Sequence, residues 1–359
     1  MMLYHKKLGL ALAAYMGFAA GLQADYKEGY YDAMDGMMKE RLKEAAKRCV
    51  ADHTRLNYTD LPNYWVLTDT YPERDGGELR FWDMYSSESY LIHPDETGRQ
   101  AFSRNKMQRE HAVPKSWWKV GDDVEYTPAY SDLWNLYPSD GPANQAKNNY
   151  PLGPVATASF DNGVTKVGSP QAGFGGGCKS VFEPADDYKG DFARAYFYMA
   201  TVYDDLAWKY TYMFKTEEWP TLQPWAMDML LDWARRDPVS DKEIARNDAV
   251  ENCQGNRNPF IDFPSLAEYV WGDLTDEVFL IGDQQGGVDA IGVGDAPVWR
   301  IGDGGLHILS DCDTPLTLTD LAGRTLMRVA APRSGDFLPL PCRGILIIRC
   351  GTTTQKIAN

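Results

Sequence analysis

Basic residues are scarce in this 359-residue chain: 36 Lys and Arg stand against 51 Asp and Glu, a formal net charge of −15. That balance speaks against a protein gripping nucleic acid over a broad basic face. A phosphate-bearing ligand would need a local site where a divalent cation brings positive charge of its own. Binding outside such a site would fall steeply with salt. Cysteine is sparse too. Cys49, Cys178, Cys253, Cys312, Cys342 and Cys350 contain no CxxC spacing, which argues against a zinc site of the usual kind. Three lie on each side of residue 275, so pairing within each half leaves one over unless a bridge crosses. Connectivity stays open. Long apolar runs are missing. The stretch Leu8 to Ala20 has 13 residues, against the ~20 that a ~30 Å hydrocarbon layer requires.

That short run is framed as an export signal: His5, Lys6 and Lys7 precede it, and Leu22-Gln23-Ala24 lies before the first acid, Asp25. Cleavage after Ala24 removes two lysines and no acid, taking the net charge to −17. With no cysteine near the cut, a lipid anchor is not expected. Aromatic residues make up 13%, with 11 Trp and 21 Tyr, which favours a well-packed fold.

Helical spacing of apolar residues predicts a helix over Tyr30 to His53. Others are predicted from Asp191 (as N-cap), from Pro220 to Arg236, from Ser240 (as cap) through Ala249, and a short one from Ser265 to Trp271. Arg80 to Tyr85 reads as a strand, and Gly163 to Gly177 as loop or hairpin tips. Residues 281 to 305 hold eight glycines and read as a linker. Short β-rich runs follow at Leu306–Leu309, Leu316–Thr319, Leu326–Val329 and Ile345–Arg349. The expected fold class is therefore α+β. A mixed, largely helical domain at 25–275 follows a signal at 1–24. A Gly-rich linker at 276–305 and a small all-β, sandwich-like domain at 306–359 complete the chain.

The chemistry concentrates between residues 106 and 150. Gln108-Arg109-Glu110-His111-Ala112-Val113-Pro114-Lys115-Ser116-Trp117 is followed by Ser131-Asp132-Leu133-Trp134-Asn135-Leu136-Tyr137-Pro138, then by Gly141 to Tyr150. Adjacent Glu110 and His111 point to opposite faces at a strand end, so one can hold a metal while the other reaches a water. Phosphodiester hydrolysis needs that division: a base near neutrality, for which imidazole is suited, and a hard cation with open coordination sites. Asn144, at the start of the following helix, can supply an amide oxygen.

This combined pattern, over more than forty positions, resembles the endonuclease I family of periplasmic and secreted nucleases. Arg109-Glu110-His111, Pro114-Lys115-Ser116-Trp117, Asp132-Leu133, Asn135-Leu136, Pro138, Gly141, Asn144 and Asn149-Tyr150 carry the match. Segments such as Trp82-Asp83-Met84-Tyr85-Ser86 and Gln254-Gly255-Asn256-Arg257-Asn258-Pro259-Phe260 extend it to residues 26–272. The resemblance implies a ββα-metal (His-Me finger) site that cuts DNA, and in some members RNA, with little sequence preference. His111 is then the base, with Asn135 beside it as an orienting residue. Glu110 and Asn144 are ligands of one ion, Mg2+ or else Ca2+ or Mn2+. Arg109, Lys115, Lys147 and Arg257 are the candidate phosphate contacts. A monomer is expected. Three positions depart from the family: Trp134 replaces a His, Lys147 an Arg and Asn148 a Ser. The family's transition-state arginine has no counterpart between Trp118 and Tyr130; Lys119, Lys115 and Arg109 are candidates for its role. The alternative is a surface binding protein that kept the fold without catalysis. His53 is expected to be structural, and Asp191 with Arg194 to form a cap and ion pair.

Residues 313 to 357, with Asp320-Leu321-Ala322-Gly323-Arg324 and Gly344-Ile345-Leu346-Ile347-Ile348-Arg349, resemble the C-terminal sorting domain of type IX secretion. That resemblance implies passage through the periplasm by dedicated secretion machinery and a final place outside the cell or on its surface.

Overall fold

The computed structural model describes residues 26–72, 78–118, 121–284, 299–302, 305–308, 314–320, 324–340, 345–350 and 353–358. The expected signal lies outside them. The chain divides into two compact units, one ending at Ile281 and the other beginning at Gly282.

The first unit is α+β and largely helical. Helix α1 (Lys39–Val50) is followed by α2 (Leu61–Thr68) and an antiparallel sheet of β1 (Thr70–Pro72), β2 (Leu79–Phe81) and β3 (Leu91–Ile92). After α3 (Gly98–Arg104) come β4 (Gln108–His111), β5 (Leu136–Ser139) and α4 (Gly141–Lys147). Strands β6 (Val155–Asp161), β7 (Lys166–Pro170) and β8 (Val181–Glu183) form a second antiparallel sheet. Helices α5 (Lys189–Val202), α6 (Pro224–Arg236), α7 (Asp241–Gln254), α8 (Pro259–Asp262) and α9 (Leu266–Val270) complete the unit.

Leu42, Ala45, Ala46 and Val50 of α1 are buried at i, i+3, i+4 and i+8, one face of a helix. The helix starts later than its periodicity predicts. Gly36 takes φ +72°, a left-handed conformation that breaks the chain between a 3-10 turn at Asp32–Met34 and α1. Helix α5 is buried from Gly190 to Val202, so it is the core around which the others pack. Gly190 is needed there, because a Cβ would collide with the carbonyl of Asp237. The N-cap of α5 is Tyr188, not Asp191, which sits in the first turn where its charge suits the helix dipole. Ser240 caps α7 as expected, in a reciprocal capping box with Glu243. Helix α6 begins at Pro224 rather than Pro220, because Leu222 is held by an isolated antiparallel bridge to Phe214.

In the second unit, β9 (Trp299–Gly302), β10 (Gly305–Ile308) and β13 (Phe337–Pro339) form one antiparallel sheet, with β10 central. Strands β11 (Leu316–Asp320), β12 (Thr325–Val329), β14 (Ile345–Cys350) and β15 (Thr353–Ala358) form another. Trp299, Leu306 and Ile308 from the first share a core with Leu316, Leu318, Leu346 and Ile348 from the second. Strand β9 falls inside the stretch expected to be linker. Glycine content hid it, since Trp299, Arg300 and Ile301 carry its pairing to β10. Cys350 is disulfide-bonded.

Candidate active site

Strands β4 and β5 pair antiparallel, with Glu110 opposite Tyr137 and His111 opposite Leu136. Every residue of β5 is buried, which seats this ribbon in the core. The turn leading into β5 is fixed by Asp132. Its carboxylate accepts hydrogen bonds from Tyr198 (2.8 Å), Tyr203 (2.7 Å), Gln254 (2.8 Å) and the Trp134 backbone N–H (2.9 Å). At the other end Asp140 caps α4, accepting from the Ala143 N–H at 2.7 Å, with Pro142 in the first turn.

His111 is buried, 5% exposed. Its Nε2 lies 3.0 Å from the Tyr130 carbonyl oxygen. A carbonyl only accepts, so Nε2 carries the proton and Nδ1 keeps its lone pair. The Tyr58 ring lies nearly parallel to the imidazole (12°, centroids 6.2 Å apart), and Trp118 and Tyr130 close other sides at 5.6 Å. Burial pushes the imidazole down to about 3, assisted by repulsion from Lys115 and Lys147. The ring is therefore neutral at working pH, with an acceptor nitrogen.

Glu110 is buried on the other side of β4 and ion-paired with Lys147 at 2.5 Å. Burial raises its carboxyl above the usual range, opposed by the Lys147 charge. Lys147 also donates to the His111 carbonyl at 3.3 Å. It is fully buried: its charge is enclosed against Glu110 and does not face solvent, unlike the exposed phosphate contact expected from the sequence. Because Lys147 reaches Glu110, α4 packs its inner face on this side of β4. Asn144, one turn earlier, shares that face. The residue is half-exposed, and its carboxamide makes no hydrogen bond among the described residues.

Asn135 is fully buried and does not bond the imidazole. Its Oδ1 accepts from Val113 N–H (2.8 Å) and its Nδ2 donates to the Val113 carbonyl (3.1 Å), while its own carbonyl accepts from Ala112 N–H. It holds the backbone leaving β4, a role in positioning His111 through the chain. Tyr196 adds a hydrogen bond to the Ala112 carbonyl at 3.0 Å. Arg109 does not stand free for phosphate either. It donates to the carbonyls of Tyr58 and Thr59 and lies over the Tyr58 and Phe102 rings. Arg257 is also corrected: buried, it is ion-paired with Asp248, Glu251 and Asp262 at 2.7 to 2.8 Å. Lys115 alone of the four expected phosphate contacts is exposed, with its Nζ 5.0 Å from the Tyr130 ring centroid. Trp134 does not enter the site; it is buried against Arg246 and Tyr198. His53 is structural, 3.6 Å from Asp132.

Tyr58 and Tyr130 are site residues that local pattern did not single out. Tyr58 lies far from His111 in sequence, and no periodicity links the two.

The site contains hard oxygen donors. Among the described residues no group of three or more His, Cys, Asp or Glu is arranged to hold a metal. One Glu110 oxygen is taken by Lys147, and its other oxygen and the Asn144 carboxamide have no partner among the described residues. Such a sparse set fits a cation that keeps most of its coordination for water and phosphate, as Mg2+ does.

Comparison with known proteins places this ribbon and helix in a class of enzymes that cut nucleic-acid chains internally. Residues 38–265 match the model of the Endonuclease I family, and the chain belongs to that family. It is 31% identical over 245 residues to an extracellular ribonuclease of Bacillus subtilis (strain 168), covering 67% of this chain and 78% of that protein. A second extracellular ribonuclease, from Bacillus amyloliquefaciens, is 31% identical over 251 residues, covering 68% and 78%. An extracellular deoxyribonuclease of Aeromonas hydrophila is 25% identical over 182 residues, covering 46% and 70%. The protein is an endonuclease of a kind found outside the cytoplasm. No helix among the described residues is long and apolar enough to cross a membrane.

Proposed function

We propose that this endonuclease hydrolyses the phosphodiester bonds of both RNA and DNA with little sequence preference, acting as a monomer through a His-Me finger site. His111 is the general base, and Glu110 and Asn144 hold one divalent cation, Mg2+ or in its place Ca2+ or Mn2+. The observation that carries this reading is the hydrogen bond from His111 Nε2 to the Tyr130 carbonyl, which leaves Nδ1 as a fixed acceptor. Both substrates are proposed because the relatives named above include ribonucleases and a deoxyribonuclease.

In the reaction, His111 Nδ1 takes a proton from water. The water oxygen forms a bond to phosphorus while the bond to the leaving 3′ oxygen breaks. That oxygen takes a proton from solvent, giving a 3′ hydroxyl and a 5′ phosphate, and the imidazolium returns its proton to solvent. A bound cation would neutralise charge on the scissile phosphate. Lys147 balances part of the Glu110 charge, and Asn135 with Tyr196 fixes the strand exit that carries the base. The unit beginning at Gly282 is assigned to type IX export, supported by the sorting-domain resemblance of residues 313–357.

The test is nicking of supercoiled plasmid and degradation of a single-stranded RNA, with Mg2+ and with EDTA, wild type beside His111→Ala. Cleavage that requires Mg2+ and falls by at least ~10²-fold in the variant is expected, a fall typical of losing a general base. A fully active His111→Ala protein would remove His111 as the base. A wild type inactive on both substrates with any of the three cations would favour the binding-protein alternative.

A further inference from the structure

A pair of tyrosines lies beside the site and takes no part in the chemistry described above. Tyr210 and Tyr212 belong to a segment without regular secondary structure, and their rings are parallel within 9°, centroids 5.7 Å apart. Both residues are half-exposed. Tyr212 meets the buried Trp117 ring edge-on at 5.8 Å. The Lys209 ammonium lies 5.4 Å from the Tyr210 centroid, and Lys209 is exposed with no ion-pair partner among the described residues. The segment is fastened both to the site and to α6. Lys209 N–H donates to the Trp117 carbonyl at 2.6 Å, and Gln223 N–H to the Met213 carbonyl at 2.8 Å. Trp225 Nε1 donates to the Tyr212 carbonyl at 3.0 Å. Trp117 ends the 3-10 turn that begins at Lys115, and the ring of the next residue, Trp118, is 5.6 Å from His111. The tyrosine pair therefore borders the site on the side reached through Trp117.

We infer that Tyr210 and Tyr212 form a subsite that stacks an unpaired base of the substrate, with Lys209 on the adjoining phosphate, so that the enzyme favours single strands over duplex. The inference rests on the nuclease reading. Tyr196 and Tyr198 show what a structural tyrosine does here: both are buried, with hydroxyls bound to the Ala112 carbonyl and to Asp132. The Tyr210 hydroxyl makes no hydrogen bond among the described residues, and its ring meets only Tyr212 and Lys209 there. Its flat apolar area is left half in water. Every base has a π-face, so an aromatic platform accepts any of them and imposes no sequence. In a duplex each base is already covered by its neighbours and must be unstacked first, a cost that single strands and loops avoid. A chain of net charge −15 repels a polyanion at long range, and stacking supplies affinity that does not depend on charge. Lys209 is drawn to the ring face without losing its donors, which stay available to a phosphate. Because the backbone of the segment is fastened, little freedom is lost when a base binds.

The experiment compares full-length wild type, Tyr210→Leu, Tyr210→Phe and Lys209→Ala. Steady-state cleavage with Mg2+ is measured on single-stranded RNA and DNA oligonucleotides and on duplex DNA. Binding is measured separately in EDTA, at several salt concentrations, with a single strand carrying the fluorescent base 2-aminopurine, whose emission is quenched by stacking. Tyr210→Leu should raise KM on single strands by ~5- to 100-fold, the loss of one stacked base. Its kcat, and its KM on duplex, should stay within about twofold of wild type, as for a contact made equally in ground and transition states. Tyr210→Phe keeps the ring and should match wild type. Quenching should be present in wild type and in Tyr210→Phe and absent in Tyr210→Leu. Lys209→Ala should reduce the salt slope by about 0.7, one phosphate contact on a single strand; an unchanged slope would remove Lys209 from the subsite. Unchanged single-strand KM or unchanged quenching in Tyr210→Leu would overturn the subsite. An equal rise in KM on both substrates, or a fall in kcat alone, would make Tyr210 a structural support and overturn it as well. A wild type that cuts nothing with any cation would end the nuclease reading, while quenching that still required the Tyr210 ring would uphold the subsite as a single-strand binding site.

Discussion

Replacing Lys147 by Met tests how the site is built. Methionine keeps the apolar stem and removes the ammonium that pairs with Glu110 at 2.5 Å. The Lys147 side chain is fully enclosed and that of Glu110 is 9% exposed, so little water can replace the lost partner. Stranding one member of such a pair costs about 3–5 kcal/mol. In a unit of this size 1 kcal/mol shifts Tm by about 2–4 °C, which gives a drop of roughly 6–20 °C. Tryptophan fluorescence is the assay, because ten of the eleven tryptophans precede residue 282 and report the first unit. The double variant Glu110→Gln with Lys147→Met should recover most of the loss, since no buried charge is then left alone. The pH dependence has a definite sign. Burial holds the Glu110 carboxyl above its ordinary value. A raised carboxyl gives stability at low pH that is lost as pH rises through the folded value. Without Lys147 that value rises further, so the deficit of the single variant should shrink as pH falls from 8 toward 4. A loss under about 1 kcal/mol at pH 8, set against the 3–5 kcal/mol expected for a buried pair, would show that Glu110 does not depend on Lys147.

Arg257→Met should destabilise by about 3–5 kcal/mol, because it strands the buried Asp262, while kcat of the folded enzyme stays within a factor of about two, as expected for a residue outside the site; a tenfold fall in kcat/KM with the fold intact would restore it as a phosphate contact. Asp83 is 3% exposed, and burial raises its carboxyl to about 7. The stability it contributes is full below its unfolded value and is lost as pH rises through about 7. Asp83→Asn should therefore cancel a loss of about 2–3 kcal/mol between pH 5 and pH 8, read from urea midpoints, and an unchanged pH slope would refute the burial of a charge there.

Local pattern reached the site's frame and stopped at its depth. Glu110 and His111 sit on opposite faces at the end of a strand because alternation is a property of the backbone, and an Asp-Gly-Pro start announces α4 before Asn144. The β-rich runs of the second unit were likewise legible from branched residues between turns. What sequence could not give is which cations are buried. Arg109, Lys147 and Arg257 sit in motifs rich in polar residues, and their partners come from Tyr58, from Glu110 and from Asp262. A charge in a motif reads as available until its neighbours in space are known. Tyr58 and Tyr130 were hidden for the same reason: rings packed around the proposed base, His111, have no local periodicity to reveal them.

Two of the departures from the family pattern, Trp134 and Lys147, have different structural consequences. Trp134 stands where the sequence resemblance expects a histidine, yet its side chain turns into the core against Arg246 and Tyr198 while its backbone N–H is held by Asp132. The turn that delivers β5 therefore depends on the aspartate, and an indole in place of an imidazole changes the packing behind the ribbon without touching His111. Lys147 is closer to the chemistry. It is a cation in an arginine's position, sealed against the proposed metal ligand, so what it must preserve is a buried charge and a fit to one carboxylate oxygen. Those are demands an ammonium meets as a point charge, whereas solvent-side recognition of phosphate by a planar fork is not asked of it. The substitution that would weaken an exposed phosphate clamp is thus tolerable in the interior.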